Sequence, residues 1–151
     1  TRGNGISELL TKFQFQNEDN QIEQHAKNLL LDSSKGVFNG CIHIEQKAQK
    51  TDASQLHQSL LLSDSSEVDT NPELEIFADD VKCSHGCTIG QLDESAMFYM
   101  QQRGIPKKEA KALLMYAFTN EVTSSVQIPE LKAKIGRIIA DKLGVNMGFD
   151  L

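Results

Sequence analysis

The 151 residues include no tryptophan, only two tyrosines and three cysteines. Seven phenylalanines and a 39% share of hydrophobic residues still suffice for a core, as one domain of usual size or two small ones. Three cysteines is an odd count, and Cys83 and Cys87 lie only four positions apart. That is a poor disulfide framework and points to a reducing compartment, the cytoplasm. Long apolar runs are missing too: Leu29–Leu31 and Leu60–Leu62 are among the longest, whereas a bilayer-spanning helix needs about 20 such residues. No basic run exceeds Lys107-Lys108, which argues against a cationic nucleic-acid surface. Neither Gly-x-x-x-x-Gly-Lys-Ser/Thr nor Gly-x-Gly-x-x-Gly occurs, which argues against ATP hydrolysis by this chain itself. No secretory signal opens the sequence and it does not begin with Met. Its first residues read as the interior of a longer protein.

What charge there is lies unevenly. Residues 1–91 hold 7 Lys/Arg against 14 Asp/Glu, and residues 92–151 hold 8 against 7. The hydrophobic periodicity changes at the same place. Before residue 92 it is two: Leu9, Thr11, Phe13 and Phe15 alternate with Lys12, Gln14 and Gln16, and Leu74, Ile76 and Ala78 alternate with Glu73, Glu75 and Phe77. Asn17–Asn20 reads as a turn, and Val37-Phe38, Asn39-Gly40 and Ile42–Ile44 read as strand, turn and strand. Apolar clusters recur near residues 30, 42, 61, 76 and 88 with no crossover helix between them. Asn39-Gly40 is the one tight hairpin signal. A sandwich and a β-solenoid with irregular polar corners both satisfy this pattern.

After residue 92 the period is helical. Asp93 is placed as an N-cap with Leu92 and Met97 as a hydrophobic staple, and Gly104 as the stop. Pro106 opens a second helix with Ala110, Leu113, Leu114, Ala117 and Phe118 as its apolar stripe. Ile128-Pro129 opens a third, with Leu131, Ile135, Ile138 and Lys142 on one face and Gly144 as its stop. Val145–Leu151 reads as a loose tail.

The chemistry concentrates in "VKCSHGCTIG", residues 81–90. In an extended strand Cys83, His85 and Cys87 share a face, but positions i and i+2 are about 7 Å apart and i and i+4 about 13 Å. A zinc ion holds its ligands at about 2.0–2.3 Å. A straight strand cannot close all three around one ion, so a self-contained zinc site is disfavoured and a shared one is left open. As a nucleophile, either thiol would need a base, from His25, His43 or His57. Inert packing of Cys83 and Cys87 is an equal alternative. His43 and His57 read as surface residues, and Asp79-Asp80 as a solvated or corner pair.

The tracts "KGVFNGCIHIEQKAQKTDA" (35–53), "EVDTNPELEIFADDVKCSHGCTIG" (67–90) and "FYMQQRGI" (98–105) resemble the C-terminal part of the SufB/SufD family of the SUF iron–sulfur cluster assembly machinery. The likeness runs over roughly residues 34–143. It implies a mainly β chain: a right-handed parallel β-helix over 1–92, then a small α-helical domain over 93–151. It further implies a non-catalytic scaffold that pairs with a SufB-like paralogue through the β-helix and docks a SufC-like ATPase through the helices. ATP-driven motion would rearrange the paired interface, where a nascent iron–sulfur cluster is built transiently, with none held by the isolated chain. His85 matches the family's interface histidine, which acts with a cysteine of the paralogue, and Cys83 matches the cysteine of the same tract. Cys87 departs from the common small residue there and is assigned to packing. Tyr99, Arg103, Tyr116 and Phe118 are noted as aromatic and Arg anchors without a site assignment. An exposed solenoid end leaves an unpaired strand edge, so a homodimer of the isolated chain is an expectation. The competing readings are an architectural β-solenoid and a zinc protein using Cys83, His85 and Cys87.

Overall fold

The computed structural model describes residues 1–144, so the expected loose tail at 145–151 lies outside the described residues. The chain divides into two compact units after Gly90. The first holds six strands: β1 (Ile6–Phe15), β2 (Gln21–Leu30), β3 (Lys35–Ile44), β4 (Asp52–Leu61), β5 (Glu67–Ile76) and β6 (Lys82–Gly90). They form two parallel three-stranded sheets, β1-β3-β5 and β2-β4-β6. Successive strands alternate between the sheets. Ile6 pairs with Lys35 and Lys35 with Glu67 in one. Gln21 pairs with Asp52 and Asp52 with Lys82 in the other. Each lap of about thirty residues thus adds one strand to each sheet. The pairing runs without a bulge through all four ladders.

The alternation visible in the sequence becomes inside against outside. In β3, Phe38, Gly40, Ile42 and Ile44 are buried while Val37, Asn39, Cys41 and His43 are only partly so. Ile42 and Ile44 meet Ala48, Ala53 and Ala78, with Phe13, Phe15, Ile22, Leu74, Val81 and Cys83 packed around them, so one core is built by both sheets. Corners need compact backbone turns. Asp19, Asp32 and Lys50 take positive φ there, a conformation that Asp tolerates better than most residues and that is uncommon for Lys. Backbone bonds tie one corner to the next: the Asp19 amide donates to the Gln49 carbonyl at 3.0 Å and the Leu62 amide to the Leu30 carbonyl at 2.8 Å. Asp79-Asp80 is such a corner, with the Asp80 amide donating to Gln49 Oε1 at 2.9 Å. Pro72 sits in β5, at the edge of its sheet, where a strand tolerates a missing donor.

Two expectations change here. Asn39-Gly40 is not a hairpin turn but the middle of β3. The glycine is required by close approach: a Cβ would lie 2.7 Å from Phe38 Cζ and 2.9 Å from Gln55 Cδ, and would crowd Gln55 Nε2 more closely still. Phe38 and Gln55 are both buried, so neither yields cheaply. Gly40→Ala gains about 0.4–1 kcal/mol by restricting the unfolded chain but incurs about 1–3 kcal/mol of overpacking. Net destabilisation is expected, and denaturant unfolding of the variant measures it. His57, read as a surface residue, is 1% exposed.

The second unit holds α1 (Glu94–Gln102), α2 (Lys107–Thr123) and α3 (Pro129–Leu143), with α2 in contact with both others. Asp93 caps α1, its Oδ1 accepting from the amides of Ser95 at 2.8 Å and Ala96 at 3.2 Å. Gly104 and Gly144 take positive φ after α1 and α3. Pro106 is the cap residue of α2 rather than its first helical residue. The buried residues of α2 are Ala110, Ala112 and Met115, and Leu113 is exposed; Leu131 and Ile138 of α3 are exposed as well. The stripes read from the sequence hold in part: Ala110 is buried and Leu114, Phe118 and Ile135 are half-buried, whereas Leu113, Ala117, Leu131 and Ile138 are exposed. Among the described residues, no helix is long and apolar enough to cross a membrane.

Candidate functional site

β6 carries the soft donors, and it is an edge strand paired on one side with β4. Its register sets Cys83 beside Ala53, His85 beside Gln55 and Cys87 beside His57. The pairing with β4 continues without interruption through Gly86. Among the described residues, Cys83, His85 and Cys87 do not form a cluster with donor atoms within 4.8 Å of one another. The three differ in surroundings. Cys83 is half-buried against the core. Burial pushes its thiol above the usual range, a backbone hydrogen bond from Ala53 pulls it down, and Asp52 adds to the rise. His85 is exposed and lines an open depression of about 320 Å³ with Glu23, Gln24, His25, Ser54, Gln55, Leu56, Ser84 and Gly86. Gln55, its neighbour in register, has a buried Oε1 with no hydrogen-bond partner, while its Nε2 donates to Gln24 Oε1 at 2.7 Å.

Cys87 is exposed, which overturns its assignment to packing. Its Sγ lies 3.1 Å from Thr70 Oγ1, and Thr70 Oγ1 lies 2.8 Å from Nδ1 of His57. On the other side of the imidazole, Asn28 Nδ2 donates to Nε2 at 3.2 Å. With Nε2 accepting, the ring carries its proton on Nδ1 and donates it to Thr70. The ring also stacks on Phe38, centroids 4.3 Å apart. The chain Asn28–His57–Thr70–Cys87 has the outline of a base and a nucleophile, but burial works against it: desolvation lowers the His57 pKa and so opposes the proton transfer that a base must accept. The network holds the imidazole neutral and fixes the Thr70 hydroxyl. Of the other candidate bases, His25 is engaged with Gln58 Oε1 at 3.2 Å and His43 with Glu75 Oε2 at 2.6 Å.

A pH dependence follows. Unfolded His57 takes up a proton near its ordinary value of 6.5, whereas the folded state resists protonation to lower pH. Below 6.5 the unfolded state binds more protons, so stability falls as the solution is acidified towards the folded value. His57→Asn should flatten this part of the stability–pH curve, measured by denaturant melts from about pH 7.5 to 5.5, a window set around the histidine range.

Two parallel three-stranded sheets sharing one core, with the soft donors on the edge strand β6, precede three helices, and sequence comparison gives the family. The family model described as "SUF system FeS cluster assembly, SufBD core domain" matches residues 1–118. The chain belongs to the SufB/SufD family of iron–sulfur cluster assembly proteins. It is 42% identical over 117 residues to the iron–sulfur cluster assembly protein SufD of Escherichia coli, covering 78% of this chain and 28% of that protein. It is 36% identical over 115 residues to SufD of Bacillus subtilis, covering 76% and 26%. A SufBD family protein of Synechocystis is 33% identical over 138 residues, covering 91% and 30%. The chain therefore spans less than a third of the length of these relatives. The family match includes β1 and β2 and ends within α2, beginning earlier and stopping sooner than the likeness expected over roughly residues 34–143.

Proposed function

We propose that the chain is the C-terminal part of a non-catalytic scaffold subunit of cytoplasmic SUF iron–sulfur cluster assembly. In this reading the two sheets are the last coils of a parallel β-helix, right-handed as nearly all parallel-strand crossovers are. The edge formed by β5 and β6 pairs with a SufB-like paralogue. The observation that carries the reading is the placing of an exposed imidazole, His85, next to a core-anchored thiol, Cys83, on an unpaired strand edge. Such an edge supplies one or two ligands from this side, and the partner must supply the rest. Imidazole and thiolate both bind iron. The nascent cluster is cargo, assembled across the boundary and passed on. Cys83 must lose its proton to ligate, and burial resists this until an iron ion offsets the cost. His85 needs no such loss as a neutral ligand, which makes it the leading donor.

The helical unit is assigned to a SufC-like ATPase. Phe98, Tyr99, Leu131 and Ile138 are exposed there, and Arg103 lies over Tyr99 while donating to its hydroxyl at 3.0 Å. Tyr116 and Phe118 are half-buried and less suited as anchors. Co-expression with a SufB-like protein and a SufC-like ATPase tests the assignment. The three are expected to elute together. Leu131→Asp with Ile138→Asp should release the ATPase and keep the paralogue. Elution of this chain apart from both partners would refute the reading. If the isolated chain dimerises through the same edge, adding the paralogue should dissolve the dimer.

A further inference from the structure

The outer face of the β1-β3-β5 sheet holds a second set of donors, on the other sheet from β6. Register sets Cys41 of β3 beside Glu73 of β5 and His43 beside Glu75. Cys41 Sγ and a carboxylate oxygen from each of Glu73 and Glu75 all lie within 4.8 Å of one another. His43 Nδ1 is 2.6 Å from Glu75 Oε2. We propose that Cys41, Glu73 and Glu75 form a site for a borderline divalent cation, zinc(II) or iron(II), with His43 positioning Glu75 from behind.

Donor chemistry selects the ion. Magnesium and calcium take oxygen ligands, whereas a thiolate with carboxylates suits zinc and iron. Metal–sulfur bonds of about 2.3 Å and metal–oxygen bonds of about 2.0–2.2 Å let donors that already lie within 4.8 Å of one another close on one ion by rotamer adjustment on a strand surface. Imidazole held against a ligating carboxylate is a common outer-shell arrangement, and the hydrogen bond from His43 is the chief cause that lowers the Glu75 pKa. Charge balances as well. Thiolate and two carboxylates total three negative charges. A divalent ion and Lys12, which pairs with Cys41 on the β1 side, supply three positive ones. Without a cation, burial first and then Glu75 and Glu73 push the Cys41 thiol up, so ion binding and proton release are coupled. A solvated acidic face explains Glu73, but not a thiol between two carboxylates with an imidazole fixed on one of them.

Cobalt(II) is the probe, titrated into the intact chain carrying Cys83→Ser and Cys87→Ser so that Cys41 is the only thiol. One equivalent is expected to give thiolate-to-cobalt charge-transfer absorption, and zinc(II) should abolish it by displacement. Cys41→Ser should remove the band, and Glu73→Gln, at an exposed position, should weaken binding at least tenfold, with circular dichroism unchanged in both. No band in the double-serine chain, or a band that survives Cys41→Ser, would overturn the site. The outcome is independent of the SUF reading, since neither partner chain nor the β6 thiols take part.

Discussion

Phe38→Ala is expected to destabilise the β unit by about 3–5 kcal/mol, the usual loss for a buried phenylalanine. For a unit of this size that is a fall in melting temperature of roughly 15 °C or more. The size of the effect follows from what Phe38 touches. Its side chain is fully buried, its ring stacks on His57 of the opposite sheet, and its tip lies over Gly40. The alanine leaves a cavity between two sheets whose backbones are fixed by continuous ladders, so little collapse can relieve it. It also strips one face of a buried imidazole, and aromatic pairing of this kind adds about 0.5–1.5 kcal/mol beyond area. Phe38→Leu should cost less and should partly rescue Gly40→Ala by removing the ring tip that the new Cβ meets. If Phe38→Ala melts like the parent, the two sheets do not share one core.

The strand-rich part was legible where alternation met a simple inside and outside. Ile42 and Ile44 of β3, and Phe13 and Phe15 of β1, face the core as their spacing implies. The caps Asp93, Gly104 and Gly144 were legible because capping is local chemistry. What escaped was set largely by residues on neighbouring strands. Asn39-Gly40 carries a strong turn signal, but Gly40 is there because Gln55 and Phe38 crowd it. His57 looks like a surface residue in "SQLHQS", and becomes a core residue only when Asn28, Thr70 and Phe38 arrive from three other strands. The Cys41, Glu73 and Glu75 cluster was missed for the same reason, since only parallel register brings position 41 to position 73. The helix faces were legible only in part because a stripe of large residues marks a buried face only if one neighbour covers it, and α2 has two.

For the β6 tract, the spacing argument set a limit that the ladder respects: three donors on an edge strand do not gather round one ion. In the function proposed above, His85 acts across a subunit boundary. His85 is exposed, and a surface substitution away from packing changes stability by no more than about 0.5 kcal/mol. The decisive measurement is therefore iron and acid-labile sulfide per complex, after cluster assembly by the three-component machinery carrying His85→Ala. The account predicts an intact complex with an unchanged melting temperature and at least a tenfold loss of bound cluster, whereas a full complement of iron and sulfide in that complex would contradict it.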